Sequence, residues 1–232
     1  MDALICMPTY NEAENIESIV EAIHAEVPEI DVLVIDDDSP DGTGEIADRM
    51  AEEDDRVHVL HRTEKAGLGP AYLAGFRWGL ERSYDALLEM DADFSHRPRY
   101  LPRMLEGLEE HGVVVGSRYV EGGGTEDWGW LRRFLSRGGG IYARTVLGFD
   151  VRDPTAGFVA WRREVLESLD LEAVEASGYV FQIELKYRAD RRGRSILEIP
   201  ITFPDRAAGE SKMTADIALE AIFRVWAIRW KV

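Results

Sequence analysis

Cysteine is nearly absent. The single one, Cys6, lies inside the first apolar run. That excludes a disulfide framework and suits a buried thiol in a reducing compartment. No window approaches 18 uninterrupted apolar residues, so no membrane span is expected. The chain opens on a strand-like segment without a charged n-region or an apolar leader, so no secretory signal is expected. Lysine is scarce, and 27 basic residues face 44 acidic ones, a formal net charge of −17. That balance argues against nucleic acid as a partner, which needs a basic face, and reads as a solvated acidic surface. The usual phosphate-cradling loops are missing too. No G-x-G-x-x-G follows the first strand, no G-x-x-x-x-G-K-[ST] occurs, and "KAGLGPAYLAG" has neither spacing.

The 232 residues, 45% hydrophobic and 9% aromatic, can bury a sizeable core. Strand-like and helix-like segments alternate through the first half. "ALICMPTY", "DVLVIDDD", "VHVLHR", "DALLEMDAD" and "GVVVGSRYV" read as strands. Between the earlier ones lie "NEAENIESIVEAIHAEV", "GEIADRMAEED" and "GPAYLAGFRWGLERS", which read as helices. In the first helix Ile16, Ile19, Val20, Ile23 and Val27 share a stripe, and Asn11 with Glu14 has the spacing of a capping box. This order predicts an α/β fold: a mostly parallel sheet with helices on both faces. Later come the glycine-rich loop "YVEGGGTEDWGW", a helix starting near Trp130 that "SRGGG" should weaken or kink, and a strand within "SILEIPITFPDR". The tail "ADIALEAIFRVWAIRWKV" reads as an amphipathic helix. One domain over residues 1–214, followed by that helix over 215–232, is the expected organisation.

In such sheets, ligands bind beyond the carboxyl ends of the strands. Asp36, Asp37, Asp38, Asp91 and Asp93 all stand at such ends. In an extended chain Asp91 and Asp93 project to the same side. Two close carboxylates repel unless a proton or a cation intervenes, and magnesium or manganese with oxygen ligands is the natural cation. Helix-capping or turn aspartates are the alternative, and a bare D-x-D does not decide between them. A nucleotide bound here needs counter-charge for its diphosphate. Arg206 and Lys212 in "FPDRAAGESK" could supply it beside a metal. His96 adjoins the acidic motif and reads as a surface or supporting residue. Arg118, with Arg132, Arg133 and Ser136, makes a plausible phosphate grip, since guanidinium binds phosphate bidentately.

"MPTYNEAENI", "VIDDDSPDGT", "KAGLGPAY", "MDADFSH", "VGSRYV", "DPTAGF", "GYVFQIEL" and "FPDRAAGESK" stand in the order seen in dolichyl-phosphate mannosyltransferases. Over residues 3 to 214 the chain resembles these members of glycosyltransferase family 2, which have the GT-A fold. The resemblance implies inverting, metal-dependent transfer of mannose from GDP-mannose to a polyprenyl or dolichyl phosphate. It implies a donor pocket of Pro8, Tyr10, Glu12, Ile35 and Asp37, with Asp91, Ala92 and Asp93 holding the metal (Mg2+ or Mn2+) and the diphosphate. Arg206 and Lys212 would contact the donor phosphates, and Arg118, Arg132 and Ser136 the acceptor phosphate. Ser95 stands where some relatives carry glutamine as a further metal ligand; water could replace it. An anionic acceptor needs no strong general base, so positioning and stabilisation of departing GDP would carry catalysis.

The acceptor implied is a membrane lipid. The expected location is cytoplasmic and peripheral at the membrane, through the tail helix or through a separate membrane subunit. A tail helix packed on the sheet with its tryptophans in the core is the alternative. Competing readings of the whole are a related transferase using UDP-glucose or another donor, a sugar-nucleotide pyrophosphorylase, and a noncatalytic cation- or nucleotide-binding module. The pyrophosphorylase reading lacks its glycine-rich basic N-terminal loop.

Overall fold

The computed structural model describes residues 1–174, 178–204 and 215–231. The elements in order are β1 (Ala3–Thr9), α1 (Ile16–Glu26), β2 (Asp31–Asp36), α2 (Thr43–Glu53), β3 (Val57–His61), α3 (Leu68–Glu81) and β4 (Ala86–Glu89). A 3-10 turn at Pro98–Tyr100 leads into α4 (Leu101–Gly107), β5 (Val113–Ser117), β6 (Gly124–Thr125) and α5 (Trp130–Leu147). β7 (Val159–Arg162), α6 (Arg163–Ser168), α7 (Gly178–Arg191), β8 (Ile196–Pro200), β9 (Thr202–Phe203) and α8 (Ala215–Lys231) complete the chain.

Seven strands form one sheet in the order β3-β2-β1-β4-β7-β5-β8. Every neighbouring pair is parallel except those of β7, which runs antiparallel to both β4 and β5. β6 and β9 pair in a small separate ribbon.

The strands read as continuous apolar runs because both faces are covered. Alternate residues divide between two cores. Leu4, Cys6, Leu33 and Ile35 pack with α3, α5 and α7 on one face. Ile5, Met7, Val32 and Val34 pack with α1 and α4 on the other. Tyr72, Phe76, Phe158, Trp161 and Phe181 are completely buried. Each contributes roughly 1.5–3 kcal/mol of transfer free energy. Two glycines let α3 lie close on the sheet: a Cβ on Gly75 would sit 2.6 Å from Ile35 Cδ1, and one on Gly79 2.5 Å from Leu87 Cδ2.

Three local expectations change. The capping box at Asn11 and Glu14 does not form. α1 starts only at Ile16, and no side chain caps it. Asn11 is instead left-handed (φ 61) and its N–H donates to Ser39 Oγ (3.1 Å), while Asn15 Nδ2 donates to Glu12 Oε2 (2.8 Å). Bonds to the neighbouring loop displace the local cap. α5 runs unbroken through the "SRGGG" glycines. Each glycine costs about 1 kcal/mol relative to alanine. Packing on α8 and on the turn at Pro154, 3.5 Å from a Cβ built at Gly140, offsets that. β7, α4 and α7 are elements the sequence pattern did not single out.

Candidate active site

The carboxyl ends of β1, β2 and β4 lie side by side because the three strands are parallel neighbours. This brings Thr9 and Tyr10, the Asp36–Asp38 run and the Asp91–Asp93 segment to one edge of the sheet.

The three aspartates after β2 divide the work. Asp36 is buried and shapes the turn: it accepts from Thr9 Oγ1 (3.1 Å), Ser39 Oγ (2.6 Å) and Ser39 N–H (3.1 Å). Asp38 takes a left-handed conformation, φ 57. Asp37 pairs with Arg62 Nη1 at 2.6 Å. Burial pushes the Asp37 carboxyl up, and the Arg62 charge offsets this only in part. Asp41 accepts from Ala13 N–H and from Thr43, whose Oγ1 in turn accepts from Glu12 N–H (2.9 Å). The loops after β1 and β2 are thus stitched together by short polar side chains. Tyr10 stands half-open at the rim with Lys65 Nζ 3.4 Å above its ring. Pro8 is the register partner of Ile35. The Ile35 side chain is wholly buried against Gly75, and its main chain lies in register between Pro8 of β1 and Leu60 of β3.

At β4 the geometry differs from a simple extended pair. The strand ends at Glu89, and residues 92–96 form a bend in which Phe94 is left-handed (φ 60). Asp93 is placed by that bend: its Oδ1 accepts from Ser95 N–H (3.0 Å). Asp91 is held from two sides. Its N–H donates to His96 Nδ1 (2.9 Å), and Tyr72 donates to its Oδ1 (3.3 Å). Burial, then the charge of Asp91, raise the Tyr72 hydroxyl well above its ordinary value, so it remains a donor. His96 is no surface residue. It is buried, stacked on Phe158 with ring centroids 5.0 Å apart and edge-on to Phe203. Ser95 Oγ is also buried, and it has no hydrogen-bond partner among the described residues. No cluster of three or more His, Cys, Asp or Glu side chains poised for a metal occurs among the described residues.

A second group of polar side chains lies across the sheet. Arg118, just after β5, forms a bidentate pair with Asp153: Nε to Oδ2 and Nη2 to Oδ1, both 2.7 Å, with Arg118 N–H also on Oδ2 at 3.0 Å. The Arg118 side chain is 9% exposed and that of Asp153 is 0% exposed, and Arg118 Nη2 also donates to Thr155 Oγ1 (2.9 Å), so the arginine is a structural tie between β5 and the segment before β7. Burial pushes the Asp153 carboxyl up, but the Arg118 charge and hydrogen bonds more than reverse this and hold it below the usual carboxylate range. Arg132 sits 3.9 Å above the Trp128 ring, and Trp128 is edge-on to Phe203. Tyr119 donates to Ser136 Oγ (2.7 Å). Arg118, Arg132 and Ser136 therefore belong to one cluster, with Tyr119 and Trp128 as members that spacing did not mark.

Between the two groups runs a buried polar chain that sequence reasoning missed. Glu89 accepts from Trp161 Nε1 (2.7 Å) and from Gln182 Nε2. Lys186 Nζ lies among four carbonyl oxygens: Ala156 O (2.7 Å), Gln182 Oε1 (3.1 Å), Gln182 O (3.2 Å) and Pro154 O (3.3 Å). Burial pushes the Glu89 carboxyl up and the Lys186 ammonium down, and each partly restrains the other's shift. The available signal was Glu89, a charged residue inside the otherwise apolar run "LLEM"; "QIELK", with Gln182, Glu184 and Lys186, reads as an ordinary polar helix segment and gave none. Arg206 and Lys212 lie outside the described residues.

The comparisons with known proteins agree with this architecture. Over 99% of its length the chain is 52% identical to the polyprenol monophosphomannose synthase of Mycolicibacterium smegmatis, covering 88% of that protein. It is 51% identical over its full length to the undecaprenyl-phosphate mannosyltransferase of Micrococcus luteus, covering 97% of it. The dolichol-phosphate mannosyltransferase of Pyrococcus furiosus is 33% identical, with 65% of its length covered. Among solved structures, glucosyl-3-phosphoglycerate synthase from Mycobacterium tuberculosis, in a complex with Mn2+, UDP-glucose and phosphoglyceric acid, superposes with a TM-score of 0.68. That match covers all of this chain and 80% of the other at 21% identity, a likeness of fold. Residues 4–170 match the model of glycosyl transferase family 2. With carboxylates gathered at the strand ends of a mostly parallel sheet, the chain belongs to glycosyl transferase family 2 and is a glycosyltransferase.

Proposed function

We propose that the chain transfers mannose from GDP-mannose to the phosphate of a polyprenol, with inversion, giving polyprenyl-phosphate β-mannose and GDP. The observation that carries this reading is the identity of 51–52% along essentially the whole chain with two relatives whose names place mannose on a polyprenyl phosphate; GDP-mannose as donor and inversion are what the family resemblance implies. Within it, Tyr10, Glu12, Asp37 and the main chain around Pro8 and Ile35 bind the nucleoside. The Asp91–Asp93 segment takes the diphosphate, and Arg206 and Lys212 supply counter-charge. Arg118, Arg132 and Ser136 orient the lipid phosphate. Its oxygen is already anionic and needs no base, so orientation across the site is the main task of these side chains.

The site suits a divalent cation. Asp91 and Asp93 are half-buried oxygen donors, and the buried Ser95 Oγ beside them could order a metal-bound water. Two protein carboxylates, with no third gathered there among the described residues, leave positions for diphosphate oxygens. Magnesium or manganese bound there would neutralise charge on the leaving diphosphate. Manganese in the neighbour with UDP-glucose supports a cation in general.

We also read residues 1–214 as the catalytic unit and 215–232 as a helix at the membrane interface. No helix among the described residues is long and apolar enough to cross a membrane. α8 buries Val225 and Ile228 against its neighbours but leaves Phe223, Trp226 and Trp230 exposed. The adjoining α5 exposes Trp130, Leu131, Phe134 and Leu135. Arg132, Arg133 and Arg137 accompany these, with Arg224, Arg229 and Lys231 on α8, a local excess of cations on a chain of net charge −17. Apolar and basic side chains together suit an anionic lipid surface.

The test is transfer of labelled mannose from GDP-mannose to a polyprenyl phosphate, with magnesium or manganese and then with chelator. Transfer that needs metal is expected. Activity with UDP-glucose alone would keep the fold's chemistry and replace the sugar; no transfer with any donor would overturn the reading.

A further inference from the structure

Lys186 is a costly residue to bury in the core. Its side chain is fully buried, where an ammonium loses several kcal/mol of hydration that a methionine would not. Among the described residues, no carboxylate lies within ion-pair distance of it. Four carbonyl oxygens surround it instead, two of them from the Asp153–Phe158 turn. That turn has few bonds of its own; Ala156 N–H donates to Asp153 O at 3.2 Å.

The turn is where the two halves of the site meet. At one end Asp153 carries the Arg118 guanidinium. Glu198 of β8 fixes the main chain there, accepting from Arg152 N–H (2.7 Å) and Asp153 N–H (2.9 Å). The other end touches the β4 terminus by two routes. Lys186 reaches Gln182, and Gln182 donates to Glu89, two residues before Asp91. Separately, a Cβ on Gly157 would lie 3.6 Å from His96, whose ring stacks on Phe158 and accepts from Asp91 N–H.

We propose that Lys186 is a positioning residue: with Gln182 it ties the Asp153–Phe158 turn to the end of β4, so that Arg118 and Asp91 are held as one rigid unit. This inference rests on reading Arg118 as an acceptor contact and Asp91 as a donor contact. A shift of about 1 Å between such groups can cost a hundredfold in rate.

The test uses the full chain with Lys186→Met and, independently, Gln182→Leu, which removes the link while keeping the ammonium. Hydrogen exchange reads the turn without turnover. In both variants the amides of Arg118, Asp153 and Ala156 should exchange at least about tenfold faster, with β1 and β2 unchanged. In the transfer assay the apparent KM for polyprenyl phosphate should rise about tenfold or more and kcat should fall. The Kd of GDP-mannose measured by titration with magnesium should stay within about twofold. Gln182→Leu should show the same pattern more weakly, and it carries the test alone if Lys186→Met does not fold. Unchanged exchange in the turn, exchange raised equally in every strand, or equal losses for donor and acceptor would each overturn the proposal. Wild-type protein that transfers no mannose would count against the proposed function, while the exchange result would still judge the clamp.

Discussion

The two sides of the site are built by different means. Around β1, β2 and β3, the loops are held mainly by short polar side chains near their own backbone, where Ser39, Asp41 and Thr43 bind groups within a few residues or in the adjacent loop, with Arg62 on Asp37 adding a long-range ion pair. Around β5, β7 and β8, the loops are held by charges from distant segments: the buried Arg118 on the buried Asp153, the buried Lys186 on the Asp153–Phe158 turn, and the half-buried Glu198 on the main chain before it. Turn-type bonds are individually worth about 1 kcal/mol and are replaceable. A buried charge left without its partner costs about 3–5 kcal/mol. The donor side should therefore tolerate substitution outside its contact residues, and the acceptor side should lose structure and function together.

The largest effect should come where the two sides meet. Asp91→Asn and Asp93→Asn each remove a charge that would hold the cation, and transfer should fall about a thousandfold or more, equivalent to roughly 4 kcal/mol. Chelation of the wild-type enzyme should match it. Neither substitution should unfold the chain, since both side chains stand only half-buried. Rates within threefold of wild type in either variant would remove these carboxylates from the reaction.

Arg118 comes next, and the structure changes how it must be tested. Arg118→Ala strands Asp153, so loss of activity alone would not separate a phosphate contact from a structural one. Asp153→Asn should destabilise by about 3 kcal/mol at neutral pH. Because the folded carboxyl lies below its unfolded value of about 3.9, the wild-type advantage is fully present above that pH. It should shrink as pH falls through the folded value, as urea melts of both proteins across that range would show. The double variant Arg118→Ala/Asp153→Ala decides the role. If Arg118 only pairs with Asp153, transfer should recover in the double variant relative to Arg118→Ala; if it also meets the lipid phosphate, the raised KM for that substrate should persist.

On the donor side Asp37→Asn should raise the KM for GDP-mannose about tenfold, as expected for one charged contact, and leave the acceptor KM alone. An acceptor effect of the same size would erase the distinction between the sides.

The same contrast governs what the sequence reveals. The alternating order of apolar runs and the aspartates at strand ends are local patterns; they correctly announce the parallel half of the sheet, and they put the carboxylates at the edge where β1, β2 and β4 end. β7 escapes notice because "FVAWRREVL" runs from a short strand directly into a helix with no turn residue between them. The buried chain Glu89–Gln182–Lys186 escapes because Glu89 and Gln182 are 93 residues apart and meet only once the sheet has formed, while a Gln and a Lys four apart are commonplace on any helix. Asp93 was expected to follow an extended strand, yet the strand stops at Glu89 and a bend takes over, since bonds to Ser95 and a left-handed Phe94 outcompete extension.

The smallest effect on the fold should be the largest on location. Trp226 is 46% and Trp230 82% exposed. Their replacement by serine removes little packing, so stability should change by less than about 0.5 kcal/mol per site. Yet each indole is an amphipathic group suited to the headgroup region, and Arg229 and Lys231 stand beside them on a helix end without acids. The double variant should therefore bind vesicles containing anionic lipid at least about tenfold less tightly than wild type. Raised salt should weaken the wild type further by screening its basic residues. Transfer to a short, water-soluble polyprenyl phosphate should be unaffected, because that acceptor does not have to be drawn from a lipid surface. Vesicle binding that survives both substitutions would move the membrane contact to the exposed face of α5, where Trp130 and Phe134 offer the same chemistry closer to Arg132 and Ser136.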